Sequence, residues 1–155
     1  MALSKEIARQ VREMHFGSNW TGSSLKDQLK DLDWKEATTS LDSLNSIAEL
    51  IFHSNYYIEK TLYALQHGKL EAHDKFSFDL PPINSEKEWQ DLLSKVWSEA
   101  KEFAAQIESI PDEKLWDIMI EEKYGTFYRN FLGIIEHFHY HLGQIALIRK
   151  LLKNK

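Results

Sequence analysis

The chain has 155 residues, of which 24 are acidic and 19 are Lys or Arg, giving a formal charge of −5. That length suits one domain over residues 1–155, burying about two-thirds of its unfolded surface, and the acidic balance, with no dense basic run before Lys150 to Lys155, argues against nucleic acid as a partner. There is no cysteine, which excludes disulfides, thiolate ligands and a cysteine nucleophile and leaves histidine and carboxylate as metal-binding groups.

The segment Met1 to Met14 mixes charges with apolar residues at helical spacing and lacks the unbroken apolar stretch of a signal peptide. Apolar clusters such as Phe131 to Ile135 fall far short of the roughly 20 residues needed to cross a bilayer. A cytoplasmic protein with no membrane partner is expected.

Ile7, Val11 and Met14 mark one face of an opening helix that breaks near Gly17 and Gly22. Ser24 can then cap a shorter segment containing Leu25, Leu29 and Leu32. Ser46 and Glu49 have capping-box spacing at the start of a longer helix that runs from Ile47 past Ala64 to Gly68, with His53 in its middle. Leu70 to Asn84 holds two adjacent prolines and no helical period, so it reads as a mobile crossover connection. Ser85 and Glu88 repeat the capping spacing, and Trp89, Leu92, Leu93, Val96, Trp97, Ala100, Phe103, Ala104 and Ile107 trace a third amphipathic helix up to Pro111.

Asp112 to Gly125 contains a short helical piece, Glu113 to Trp116, and a mixed segment, Asp117 to Tyr124, that suits extended backbone. Thr126 can cap the last helix, which ends in basic residues that favour a helix C-terminus. Three or four long helices with almost no strand signal give an all-α bundle.

The last helix carries the chemistry. His137, His139 and His141 place three imidazoles within five positions. Residues four apart share a helix face, so His137 and His141 can aim at one point while His139 projects oppositely. A third ligand must come from the middle of a neighbouring helix, and His53 meets that condition. His15, beside the Gly17 break, His67 at a helix end and His73 in the crossover have ordinary surface explanations. The same pattern also fits two buried imidazoles hydrogen-bonded to neighbours, with His53 an ordinary core residue.

Three neutral imidazoles suit zinc, nickel, copper or ferrous iron. The expected cofactor is a divalent metal, zinc or nickel ahead of iron or manganese. Around this site, Glu49 is explained by its cap, Gln144 either reaches a ligand imidazole or packs on a neighbouring helix, and Gly143 suits close helix approach. Trp89 and Trp97 read as core and Trp20 as a pocket wall. Tyr128, Leu132, Ile135, His139, Leu142 and Ala146 form a second apolar face on the last helix, which predicts self-association as a homodimer.

His53 together with His137-x-x-x-His141-x-Gly143-Gln144, the Trp20-Thr21-Gly22 neighbourhood and the long crossover resemble the DinB-like (DinB/YfiT) superfamily of metal-dependent enzymes across nearly the whole chain. The resemblance implies an up-down-down-up four-helix bundle, commonly dimeric, with a divalent metal held by His53, His137 and His141. It also implies metal activation of a low-molecular-weight thiol, since members include bacillithiol-type S-transferases and mycothiol-dependent isomerases. A hydrolase or thiol S-transferase acting on a small molecule is the expected function, with catalytic residues beyond the metal ligands unassigned. The alternative is a non-catalytic metal- or ligand-binding, stress-related bundle protein. Imidazole ligation predicts that metal affinity falls as the pH drops through the histidine range, because protons compete for the same nitrogens. Affinity measured by competition with a chelator that stays flat between about pH 5 and about pH 8 would contradict it.

Overall fold

Apolar residues recurring at intervals of three and four become the buried stripes of four long helices in the computed structural model, which describes residues 2–153. Met1, Asn154 and Lys155, included in the expected 1–155 domain and terminal basic run, lie outside the described residues. The long helices are α1 (Leu3–Phe16), α4 (Ile47–His67), α5 (Glu86–Ser109) and α6 (Phe127–Lys153), with one-turn helices α2 (Leu25–Leu29) and α3 (Trp34–Thr38) between the first two. Leu32 lies beyond α2 rather than within it, yet it is buried.

The capping chemistry sets the boundaries. At α4 the Ser46 hydroxyl accepts from the Glu49 N–H while the Glu49 carboxylate accepts from Ser46, and Gly68 closes the helix in the left-handed conformation with φ +69°. Ser85 accepts from the Glu88 N–H, but the Glu88 carboxylate turns to the Asn84 N–H instead of completing the reciprocal box. The Thr126 hydroxyl accepts from Arg129 N–H at the start of α6. Asp117 to Tyr124 is extended only around Ile118, which bridges to Thr126, and it then tightens into a 3₁₀ turn at Glu122–Tyr124. No other β pairing occurs among the described residues.

Helix α1 packs on α5 and α6, and α4 packs on the same two, so the four form a closed ring. Their directions follow from paired residues. Leu3 N–H donates to Asp112, just past the end of α5, while Phe16 stacks near Trp97, so α1 and α5 run antiparallel. Glu59–Lys95 and Gln66–Glu102 share a sequence offset of 36, so α4 and α5 run parallel. His53 meets His141 as Tyr57 meets His137, so α4 and α6 run antiparallel. The result is an up-down-down-up bundle, and the parallel α4–α5 pair requires the long crossover.

Trp89 is fully buried, its indole N–H donating to the Leu32 carbonyl, while Trp97 is half-buried against Phe16. The second apolar face of α6 is consumed largely within the chain: Ile135 and Leu142 are buried, and Tyr128, Leu132, His139 and Ala146 are half-buried. The outward stripe is instead Gly133, Tyr140, Gly143 and Leu147. No atom of a neighbouring element lies within 4 Å of where a Gly143 Cβ would stand, so Gly143 mediates no close helix approach within the chain.

The surface explanation for His15 is overturned. Its side chain is completely buried, because the helical stripe of Ile7, Val11 and Met14 continues through it before the Gly17 break. Its Nδ1–H donates to the Val11 carbonyl at 2.8 Å, its ring lies 4.3 Å from that of Phe138, and its Nε2 has no partner. Burial pushes its pKa down to about 4 from 6.5. The unfolded chain therefore takes up a proton that the folded chain refuses, and stability present above about pH 6.5 is lost as the pH falls toward 4, by roughly 3 kcal/mol. Urea denaturation of a His15→Leu variant is expected to show a shallower loss of stability across this interval; slopes equal to those of the unaltered protein would contradict it.

Candidate metal centre

The ligand geometry starts from α6, where four-residue spacing puts His137 and His141 on one face, and from α4, which crosses that face antiparallel at His53. The Nε2 atoms of His53 and His137 lie 3.0 Å apart, as do those of His141 and His137. One nitrogen from each of the three residues falls within 4.8 Å of the others. Metal–nitrogen bonds of about 2.0–2.1 Å in tetrahedral or cis-octahedral arrangement place ligand nitrogens roughly 2.8–3.4 Å apart. The expected trio is therefore brought together at a spacing a single ion can bridge.

Hydrogen bonds fix which nitrogen is free. The Ser77 hydroxyl donates to the Asp74 carbonyl at 2.7 Å, so its oxygen is left to accept from His53 Nδ1–H at 3.0 Å. The Gln144 Oε1 accepts from His141 Nδ1–H at 2.6 Å. An amide oxygen has no proton to give, so His141 must carry its proton on Nδ1 and present a lone pair on Nε2. His53 follows the same logic. Such outer partners orient metal-binding imidazoles and raise their basicity.

His137 Nε2 therefore stands 3.0 Å from two lone pairs. A neutral imidazole has one ring proton and can satisfy at most one of them well, whereas a metal ion satisfies all three nitrogens together. Burial is the main cause that lowers His53, and it pushes His137 down to about 4, with the neighbouring imidazoles as the next cause. Both rings are held neutral, the form that binds metal, through the ordinary histidine range, so protons compete for these two nitrogens only at lower pH, and the fall in metal affinity expected from the residue types alone shifts down accordingly.

The crossover builds one wall of the site. Tyr56 donates its hydroxyl proton to the His73 carbonyl and accepts from the His73 N–H, which pins the loop to α4. A 3₁₀ turn at Asp74–Phe76 then delivers Ser77 to His53 and lays Phe78 flat on it, with centroids 3.9 Å apart and planes at 11°. Tyr57 closes the edge of His53 and His137 and donates its hydroxyl to Asp74 at 3.1 Å. Beyond His137 the site opens into a cleft of about 710 Å³ between α4, the crossover and the start of α6. His53 and His141 are buried, while His137 is half-exposed at the mouth.

The remaining sequence candidates fall elsewhere. His139 faces away from the trio, donates to the Ile135 carbonyl and borders a separate cleft with the fully exposed Trp20, which is no wall of the metal site. Glu49 is committed to its cap. His67 and His73 are exposed. Gln144 takes the ligand-orienting role rather than interhelical packing. Ser77, Asp74 and Phe78 escape sequence reasoning because they lie in an aperiodic loop; the usable signal is that a ligand imidazole on α4 requires an acceptor for its Nδ1–H.

Comparison with protein-family models, with curated proteins and with solved structures gave no match. The chain has no helix among its described residues long and apolar enough to cross a membrane.

Removing an outer partner should cost metal affinity without unfolding the bundle. Ser77→Ala and Gln144→Leu are each expected to weaken zinc binding about 10- to 100-fold in chelator competition, with unchanged helical circular dichroism. Affinity within twofold of the unaltered protein in both would show that these contacts do not orient the ligands.

Proposed function

We propose that this chain is a DinB-like, metal-dependent enzyme, a hydrolase or thiol S-transferase in which His53, His137 and His141 hold a divalent cation. The observation that carries this reading is the tautomer arrangement: the acceptors at Ser77 and Gln144 leave the Nε2 atoms of His53 and His141 free to converge on that of His137. Zinc or nickel suits the three nitrogens, and bound there it would act as a Lewis acid lowering the pKa of a water or small thiol.

The residues around the trio divide the remaining work. Ser77 and Gln144 hold two imidazoles in register, so little reorganisation is needed when the site is loaded. Phe78 and Tyr57 shield His53 from solvent, strengthening electrostatic interactions inside. His137 at the cleft mouth leaves one side of the trio approachable, which favours catalysis over a closed scaffolding site with all ligands buried. A homodimer is part of this proposal, supported by the exposed Tyr140 and Leu147 on the outward stripe of α6.

Metal analysis of protein purified without a polyhistidine tag is expected to give about one equivalent, or to reach it after incubation with zinc or nickel. His137→Ala should lower both occupancy and any thiol-transfer or ester-hydrolysis rate at least tenfold. Less than a few tenths of an equivalent after incubation would overturn the metal reading, and equal rates in the variant would overturn catalysis through it.

A further inference from the structure

The cleft beside His137 is chemically lopsided. Its far end, where the chain enters α6, carries two cations, Lys123 and Arg129. Lys123 is already committed, its ammonium 3.0 Å from Glu121 and over the Tyr124 ring. Arg129 makes no ion pair and no side-chain hydrogen bond among the described residues. Its stem lies over Gly125, where an added Cβ would stand 3.1 Å from Arg129 Cδ, and the positive φ of +77° at Gly125 sets the turn that makes this room. The Asn130 amide, next along the helix, donates to the Tyr124 and Thr126 carbonyls and is not free to bind a ligand.

Between Arg129 and His137 the wall carries the apolar surface of Gly133 and Ile134. The acidic groups on the cleft are Asp74, which accepts from Tyr57, and Glu136, beside His137. Positive charge therefore marks the end remote from the metal centre and negative charge the near end. Eight helical steps separate Arg129 from His137, about 12 Å along the axis at 1.5 Å per residue.

We propose that this cleft selects an elongated anionic substrate. An oxyanion, carboxylate or phosphate, pairs with the forked guanidinium of Arg129, an apolar middle lies along Gly133 and Ile134, and the reacting end reaches His137. This rests on the metal-centre reading above and adds the substrate class. Arg129 acts as a specificity determinant, not as a catalytic residue. The preference weakens with salt, because the guanidinium is exposed.

The test uses cobalt-substituted full-length protein and thiol probes, whose coordination appears as thiolate-to-cobalt charge-transfer absorption. Probes of about four to about ten carbons end in a carboxylate, a phosphate or an uncharged hydroxyl, bracketing the 12 Å span. At least one anionic series is expected to bind about fivefold more tightly than the alcohols of equal length, with the advantage greatest at the longer lengths. The carboxylate and phosphate arms identify which oxyanion the site prefers. In Arg129→Gln the advantage should fall below twofold, while cobalt stoichiometry and affinity for the alcohols stay unchanged. Equal affinity for acids and alcohols, or an advantage that survives Arg129→Gln, overturns the substrate class and leaves the metal centre standing. A protein that binds no cobalt overturns the metal centre itself, and this inference with it.

Discussion

Three imidazole nitrogens directed into one small volume are the constraint on which the rest of the molecule turns. Two of the three rings have their Nδ1 protons committed, to Ser77 and to Gln144, so their lone pairs face inward. A single ring proton on His137 can serve at most one of these lone pairs, whereas a shared cation serves all three nitrogens. The bundle supplies the framework that holds them there: α4 and α6 cross antiparallel, and the buried Phe131, Ile135, Phe138, Leu142 and Ile145 fix the rotation of α6. A helix so anchored presents His137 and His141 to His53 with little freedom to turn away.

The crossover is where fold and chemistry meet. A parallel α4–α5 pair cannot be joined by a tight turn, so the topology demands a long connection. The chain uses that connection to place Ser77, Phe78 and Asp74 over the ligand on α4. Contacts with α4 hold it at its start, where Tyr56 ties His73 by both backbone groups. The loop thus spans the bundle and also orients and shields His53. The same economy appears at Gly125, whose left-handed turn starts α6 and makes space for the Arg129 stem.

Much of this was legible in the residue pattern, for identifiable reasons. Helical periodicity and capping spacing are local signals, and they located the four long helices, with Ser46, Glu49 and Gly68 bounding α4 as expected. The four-residue spacing of His137 and His141 is a local signal too, and the mid-helix position of His53 made it the partner. What periodicity could not supply was tertiary context. The stripe of α1 runs through His15, whose polar ring and neighbouring glycine suggested surface, and packing against Phe138 decided otherwise. Of the apolar second face on α6, the chain itself buries Ile135 and Leu142, and the exposed apolar residues of the helix are instead Tyr140 and Leu147. Ser77 belongs to no periodic element, and its part follows only from the tautomer that ligation demands.

X-ray absorption at the zinc edge is the sharpest probe of this convergence, because it counts imidazoles around the ion in solution. Zinc-loaded protein is expected to show three imidazole ligands at about 2.0–2.1 Å, with the multiple scattering characteristic of the ring, and a remaining shell of light atoms. In His53→Ala the imidazole count should fall to two. A shell without imidazole scattering, or one unchanged by loss of His53, would contradict convergence of α4 and α6 on a common ion.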